Sequence, residues 1–236
     1  MSLYKYLKEK CLNANLEIKN QNLSIYTFGN VSVIDRKKDV FAIKPSGVPY
    51  ENLKANDIVI LNLKGDVIEG ELKPSSDTKT HLYLYKNWKS VGSICHTHST
   101  YAVAWSQALK NIPLLGTTHA DHLTHDIPCT EPLNDVLIDG DYEFNTGVHI
   151  VDYFKKNDLN YNLVEMVLVG NHGPFSWGKD AEKSVYNSRV LEEIAKIAYL
   201  TLQINSKSKR IKKSLIDKHF KRKHGKSAYY GQNNKE

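Results

Sequence analysis

The chain has little sulfur. Cys11, Cys95 and Cys129 are spread over 236 residues with no Cys-x-x-Cys pair, which excludes a disulfide framework and a cysteine-rich zinc site. No apolar run approaches the roughly 20 residues that span a bilayer, so no membrane partner is expected. Met1 to Leu12 mixes Lys, Glu and Tyr with Leu and lacks the apolar core of a signal peptide. A cytoplasmic location is the expectation. Neither a GxGxxG nor a GxxxxGK[ST] loop occurs, so nucleotide binding has no support. Internal repeats and long linkers are also missing.

Negative charge is scarce in one place. From Ser206 to Glu236, eleven Lys or Arg stand against Asp217 and Glu236, so the rest of the chain is slightly acidic although the net charge is +6. The stretch has few aromatics and no nucleic-acid motif. It reads as a solvated helix that lends one or two residues to an anionic substrate, with no nucleic-acid partner.

What is present is an ordinary globular composition, 41% hydrophobic and 25% charged, enough for one substantial core. Apolar spacing predicts helices over Leu3–Leu16, Thr78–Asn87, Tyr101–Leu109, Thr146–Lys156 and Ser214–Lys223, the last ended by Gly225. A longer helix is predicted from an Asp180 cap to about Gln203. Val-, Ile- and Tyr-rich runs predict strands over Ser24–Ile34, Val40–Ile43, Val91–Thr97, Val164–Val169 and Pro174–Trp177. Asp57–Leu63 and Val67–Glu69 flank Lys64-Gly65-Asp66 as a hairpin. Strands interspersed with helices argue for an α/β layered fold, and the short links argue against a purely parallel sheet.

The chemistry starts at His96-Thr97-His98. Imidazoles at i and i+2 on an extended segment point to one side. A third, His172, sits in a Gly-bounded turn (Gly170-Asn171-His172-Gly173-Pro174). Three imidazoles with a position left open are how a catalytic zinc is held, with manganese or cobalt as substitutes. Asp77 is a candidate fourth ligand or a base beside the metal. Cys95 would face away from the imidazoles, and all three cysteines read as small buried apolar groups.

Two segments, Lys44-Pro45-Ser46-Gly47 and Lys73-Pro74-Ser75-Ser76, combine a cation, a proline-fixed turn and hydroxyls beside backbone N–H groups, as anion nests do. Asn30 could add an amide. Either alone is an ordinary loop; the two together with a metal site favour a phosphorylated metabolite. Asp121, in Gly116-Thr117-Thr118-His119-Ala120-Asp121, could exchange protons with a substrate hydroxyl. Tyr230 offers a phenol beside a basic stretch that could lower its pKa. Taken by themselves, both residues read as structural.

These motifs, with Asn30-Val31-Ser32, His172-Gly173-Pro174-Phe175 and Lys223-His224-Gly225…Ala228-Tyr229-Tyr230-Gly231-Gln232, closely resemble the L-ribulose-5-phosphate 4-epimerases of the class II aldolase/adducin-like family, from about residue 3 to Gln232. The resemblance implies one domain over 1–232 with 233–236 as an extension. It implies a three-layer αβα fold with a central, mostly antiparallel sheet flanked by helices. It also implies a C4 homotetramer with active sites at subunit interfaces and one Zn2+ per subunit. The activity implied is interconversion of L-ribulose 5-phosphate and D-xylulose 5-phosphate, a phosphorylated ketopentose reaction, by C3–C4 cleavage and re-addition to the opposite face. It would serve arabinose- or ascorbate-derived routes. Asp77, His96, His98 and His172 would hold the zinc. Asn30, Lys44, Ser46, Gly47, Ser75 and Ser76 would hold the phosphate. Asp121 and a neighbour's Tyr230 would be the acid/base pair, with His219 and Arg222 supporting from that neighbour. Thr117 and Glu143 would orient Asp121 and the metal surroundings. Fuculose and rhamnulose 1-phosphate aldolases share the histidines and turns but typically carry Glu where this chain has Asp77, which favours the epimerase. A non-catalytic adducin-like scaffold would have no use for three histidines and two acid/base groups.

Overall fold

The strand-forming runs collapse into one seven-stranded sheet in the computed structural model, which describes residues 2–225, 228 and 229. The strands are β1 (Asn30–Asp35), β2 (Val40–Ile43), β3 (Val59–Asn62), β4 (Val67–Glu69), β5 (Ser93–His96), β6 (Met166–Val169) and β7 (Gly173–Gly178). Their order is β4-β3-β2-β1-β5-β7-β6 and every ladder is antiparallel. The helices are α1 (Lys5–Asn20), α2 (Thr78–Asn87), α3 (Thr100–Gln107), α4 (Thr117–Ala120), α5 (Asp135–Asp139), α6 (Tyr142–Lys156), α7 (Ala181–Ile204) and α8 (Lys213–His224).

Alternation along each strand makes the layers. Ile34, Phe41, Ile43, Val59, Leu61, Ile94, Phe175 and Trp177 point to one face, where Leu84 and Trp88 at α2 and Ile150 and Phe154 of α6 cover them. Val31, Val33, Val40, Ala42, Ile60 and Cys95 point to the other, against Leu7, Cys11 and Ile18 of α1 and Val185 of α7. Leu191, Ile194 and Ala198 of α7 bury Met166 and Leu168 with Ala102 of α3. The αβα arrangement with a mostly antiparallel sheet is therefore present. All three cysteines are buried and unpaired, as expected of small apolar groups. Among the described residues, no helix is long and apolar enough to cross a membrane.

One polar device ties the first two layers. β2 ends at Ile43, opposite Ser32, so Val31 lies past its end and lacks a strand partner on that side. Asn15 of α1, fully buried, supplies one: its Nδ2 donates to Val31 O at 2.9 Å and its Oδ1 accepts from Val31 N at 2.8 Å.

The structure corrects some boundaries. The expected strand over Ser24–Ile34 starts only at Asn30, because Tyr26 and Gly29 take positive φ (52° and 72°) and fold residues 24–29 into a loop. That loop is pinned from below: Tyr50 Oη donates to the carbonyls of Phe28 (2.8 Å) and Gly29 (2.9 Å). Gly29 has no freedom to change, since a Cβ there would lie 2.7 Å from His96 O. The helix expected from Thr146 starts a turn earlier, at Tyr142, where Asp141 accepts from Phe144 N. Gly225 ends α8 in an extended conformation, without a left-handed cap. The short helices α4 and α5 have too few residues to show a period.

Candidate metal centre and substrate cavity

The end of β5 and two loops build the centre. His96 is the last residue of β5, His98 lies two residues on, and His172 sits in the β6–β7 turn. Their ligand atoms lie within 4.8 Å of one another. His96 Nε2 and His98 Nε2 are 3.2 Å apart, so two lone pairs aim at one point. His96 Nδ1 donates to Pro174 O at 2.9 Å, which fixes the tautomer that leaves Nε2 open. Phe175, opposite His96 in the β5–β7 ladder, stacks on its ring at 4.2 Å and 15°.

Burial pushes the pKa of His96 well down, and the other two imidazoles push it further. Burial also lowers His98 and His172, while Asp77 pulls both partly back. Three neutral imidazoles with converging lone pairs are a donor set for a divalent cation. The residues present fit the metal.

The triad opens on a cavity of about 340 Å³ lined also by Phe28, Asn30, Lys44, Ser46, Gly47, Ser75, Ser76, Asp77, Tyr142 and Glu143. All the expected phosphate residues thus share one space with the histidines. The two proline turns are cross-linked: Ser46 N donates to Lys73 O (2.9 Å) and Ser75 N to Lys44 O (3.0 Å). These two N–H groups are spent on carbonyls of the opposite turn, so the expected nest is less a pair of free amide loops than a platform of hydroxyls and one cation. Lys44 is 1% exposed. Its Nζ reaches the carbonyls of Thr27 (3.2 Å) and Pro45 (3.4 Å) and sits 4.8 Å from the Tyr50 ring. Burial pushes its pKa down to about 8. Among the described residues it makes no ion pair with a carboxylate.

Asp77 lines the cavity, but the three histidines alone make up the converging cluster among the described residues. Its Oδ2 accepts from Asn30 Nδ2 at 2.6 Å. Asn30 Oδ1 is buried without a partner. An acceptor left unsatisfied beside a cavity is a place for a ligand hydroxyl.

Asp121 lies elsewhere. It is not among the residues lining the cavity of its own chain. It follows α4, where its N–H donates to Thr117 O at 2.8 Å. Its carboxylate receives Arg222 Nε (3.0 Å) and Nη2 (2.7 Å) and faces His219 Nδ1 at 2.9 Å. Burial raises its pKa, but the hydrogen bonds from Arg222 and His219 and the nearby Lys223 charge outweigh it and hold the group below its ordinary value. His219 and Arg222, expected to reach Asp121's site from a neighbour, are thus bonded to Asp121 within one chain. Tyr230 and the 233–236 extension lie outside the described residues.

Sequence reasoning missed Tyr142, Phe28 and Phe175 as site residues. Phe28 packs on His98 at 5.7 Å. The strand period could have found Phe175, which pairs with His96. Tyr142 was hidden because the predicted helix began a turn too late.

Comparison with known proteins places this geometry. The family described as the class II aldolase and adducin N-terminal domain matches residues 9–199. Among solved structures, an L-fuculose 1-phosphate aldolase superimposes with a TM-score of 0.77 at 24% identity, over 94% of this chain and 97% of the other. The L-fuculose 1-phosphate aldolase from Glaciozyma antarctica PI12 gives 0.72 at 21%, over 92% and 81%. A sugar-phosphate aldolase from Thermotoga maritima gives 0.66 at 18%, over 90% and 100%. At these identities the structural likeness speaks for the fold.

Proposed function

The chain belongs to the class II aldolase and adducin N-terminal domain family, and from that premise we propose that it is a metal-dependent L-ribulose-5-phosphate 4-epimerase. One observation carries the reading: a neutral imidazole triad, anchored by the buried His96, and a buried ammonium with no carboxylate partner among the described residues open on the same cavity. The first suits a divalent cation and the second suits a phosphate.

The C–H at C4 of the substrate is not acidic, so inversion by proton abstraction is hard. Breaking C3–C4 is easier when the charge left on the three-carbon fragment is stabilised. A divalent ion held by His96, His98 and His172, in our reading Zn2+ at one per chain with Mn2+ or Co2+ as substitutes, supplies that stabilisation as a Lewis acid.

The chain's own groups do the rest. Lys44 with the hydroxyls of Ser46, Ser75 and Ser76, beside Gly47, anchors the phosphate. The glycolaldehyde phosphate fragment can then turn without leaving. Asn30 presents Oδ1 to a substrate hydroxyl, and its amide steadies Asp77 at the edge of the metal centre. Asp121 takes the C4 hydroxyl proton as C3–C4 breaks, and Tyr230 returns a proton once the bond re-forms on the opposite face. Thr117 holds Asp121 through its backbone, and Glu143 stands in the metal surroundings. Because Asp121 is bonded to α8 and does not line its own cavity, Asp121, His219 and Arg222 are read as one unit that serves a neighbouring copy. A homotetramer of one-domain chains, with sites at the interfaces, accommodates this.

The test is product identification. Metal-loaded protein is incubated in D2O with L-ribulose 5-phosphate and, separately, with L-fuculose 1-phosphate, and both are followed by NMR. The epimerase reading expects D-xylulose 5-phosphate without deuterium at C4, and no cleavage of fuculose 1-phosphate. Net cleavage of fuculose 1-phosphate to lactaldehyde and dihydroxyacetone phosphate would assign an aldolase instead. Deuterium at C4 would refute the cleavage route.

A further inference from the structure

We propose that Tyr142 is a positioning residue for His172. Tyr142 opens α6 and lines the cavity. Its Oη stands 3.4 Å from His172 Nδ1, and the two rings lie 6.0 Å apart at 41°. An imidazole that gives one nitrogen to a metal carries its proton on the other, and the partner of that N–H fixes both tautomer and ring angle.

His96 has a backbone partner for this purpose, the Pro174 carbonyl. His172 sits in a turn whose backbone groups are already committed. Its own N–H lies against Val169 O (3.0 Å) and Ser106 Oγ (3.2 Å), and Asn171 N donates to Ser106 O (3.1 Å). These bonds place the Cα of His172 and leave its ring free to rotate. Tyr142 Oη is the group that meets Nδ1. The separation is long for a hydrogen bond, as such contacts often are before a site is filled. With Nδ1–H donating to Oη, His172 Nε2 keeps its lone pair for the metal.

The inference rests on the metal reading above, and the test separates the two. Tyr142→Phe keeps the ring and its packing and removes only Oη. Zinc affinity is measured by competition with a chromogenic chelator for the wild type and for Y142F, well below the melting temperature. The His172 Nδ1–H is followed by 15N NMR. Y142F should bind zinc about 10-fold or more weakly, the size of effect seen when partners of ligating histidines are removed. The His172 Nδ1–H signal should move or vanish. If the wild type binds zinc and Y142F binds it equally, with the same imidazole signal, the role of Tyr142 is overturned while the metal reading stands. A wild type that takes up no zinc would overturn the metal reading itself.

Discussion

At the scale of single residues, the cavity depends on groups kept away from their usual protonation. Lys44 is the clearest. Burial disfavours its charged form and moves its pKa from 10.5 to about 8. The folded chain therefore gives up this proton before the unfolded chain does. Stability from Lys44 rises with pH across the interval between 8 and 10.5. Phosphate binding has the opposite dependence, because only the ammonium attracts the anion. The value of kcat/KM for a phosphorylated substrate should fall as pH rises past about 8. Bound phosphate favours the charged form, so kcat should fall at higher pH. Lys44→Arg keeps a charge at any working pH and should flatten the kcat/KM decline, whereas Lys44→Met should raise KM at least about 10-fold throughout. A KM that is indifferent to both substitutions would remove Lys44 from the phosphate site.

At the scale of elements, the design is a β-sheet whose strand ends and turns bring the three candidate ligands together. Asn15 shows how the helices hold that sheet in register. Asn15→Ala would leave Val31 N buried without a partner and Val31 O with only the weak Cys11 thiol donor at 3.3 Å, at a cost on the order of 1–3 kcal/mol. Urea unfolding should show the loss, and an unchanged midpoint would mean that β1 finds other partners.

The same scale explains what the sequence could reveal. β2 and α2 are legible to the residue, because Val40–Ile43 and Thr78–Asn87 carry unmixed periods between turn residues. Residues 24–29 mislead: Ile25, Tyr26 and Phe28 are strand formers, yet Tyr50 and Lys44, far along the chain, pin the segment as a loop. The histidine cluster is legible because His96, which ends β5, and His98 stand two residues apart and Gly170 and Gly173 bracket the third. The bond between Asp121 and Arg222 spans 101 residues, and no local spacing encodes it.

At the scale of the whole molecule, the proposed function divides its reaction centre between two separated parts of the chain. One is the cavity with its histidines. The other is Asp121 with α8. If they meet only between copies, two inactive variants should rescue each other. Asp121→Asn keeps the metal centre, and His98→Asn keeps the carboxylate. Mixed oligomers formed by refolding the two together should recover activity at about a quarter of the sites, given random assembly in a closed ring. No recovery in properly mixed oligomers would mean that Asp121 works within its own chain or not at all.

The central claim is that three converging imidazoles hold one cation without which the sugar phosphate is not turned over. Zinc titration into metal-stripped protein, with conversion of L-ribulose 5-phosphate followed at each addition, tests it most directly. Activity should climb linearly and break at one zinc per chain, and His98→Asn should stay flat. Full turnover by the stripped protein, or by His98→Asn without bound metal, would contradict the account.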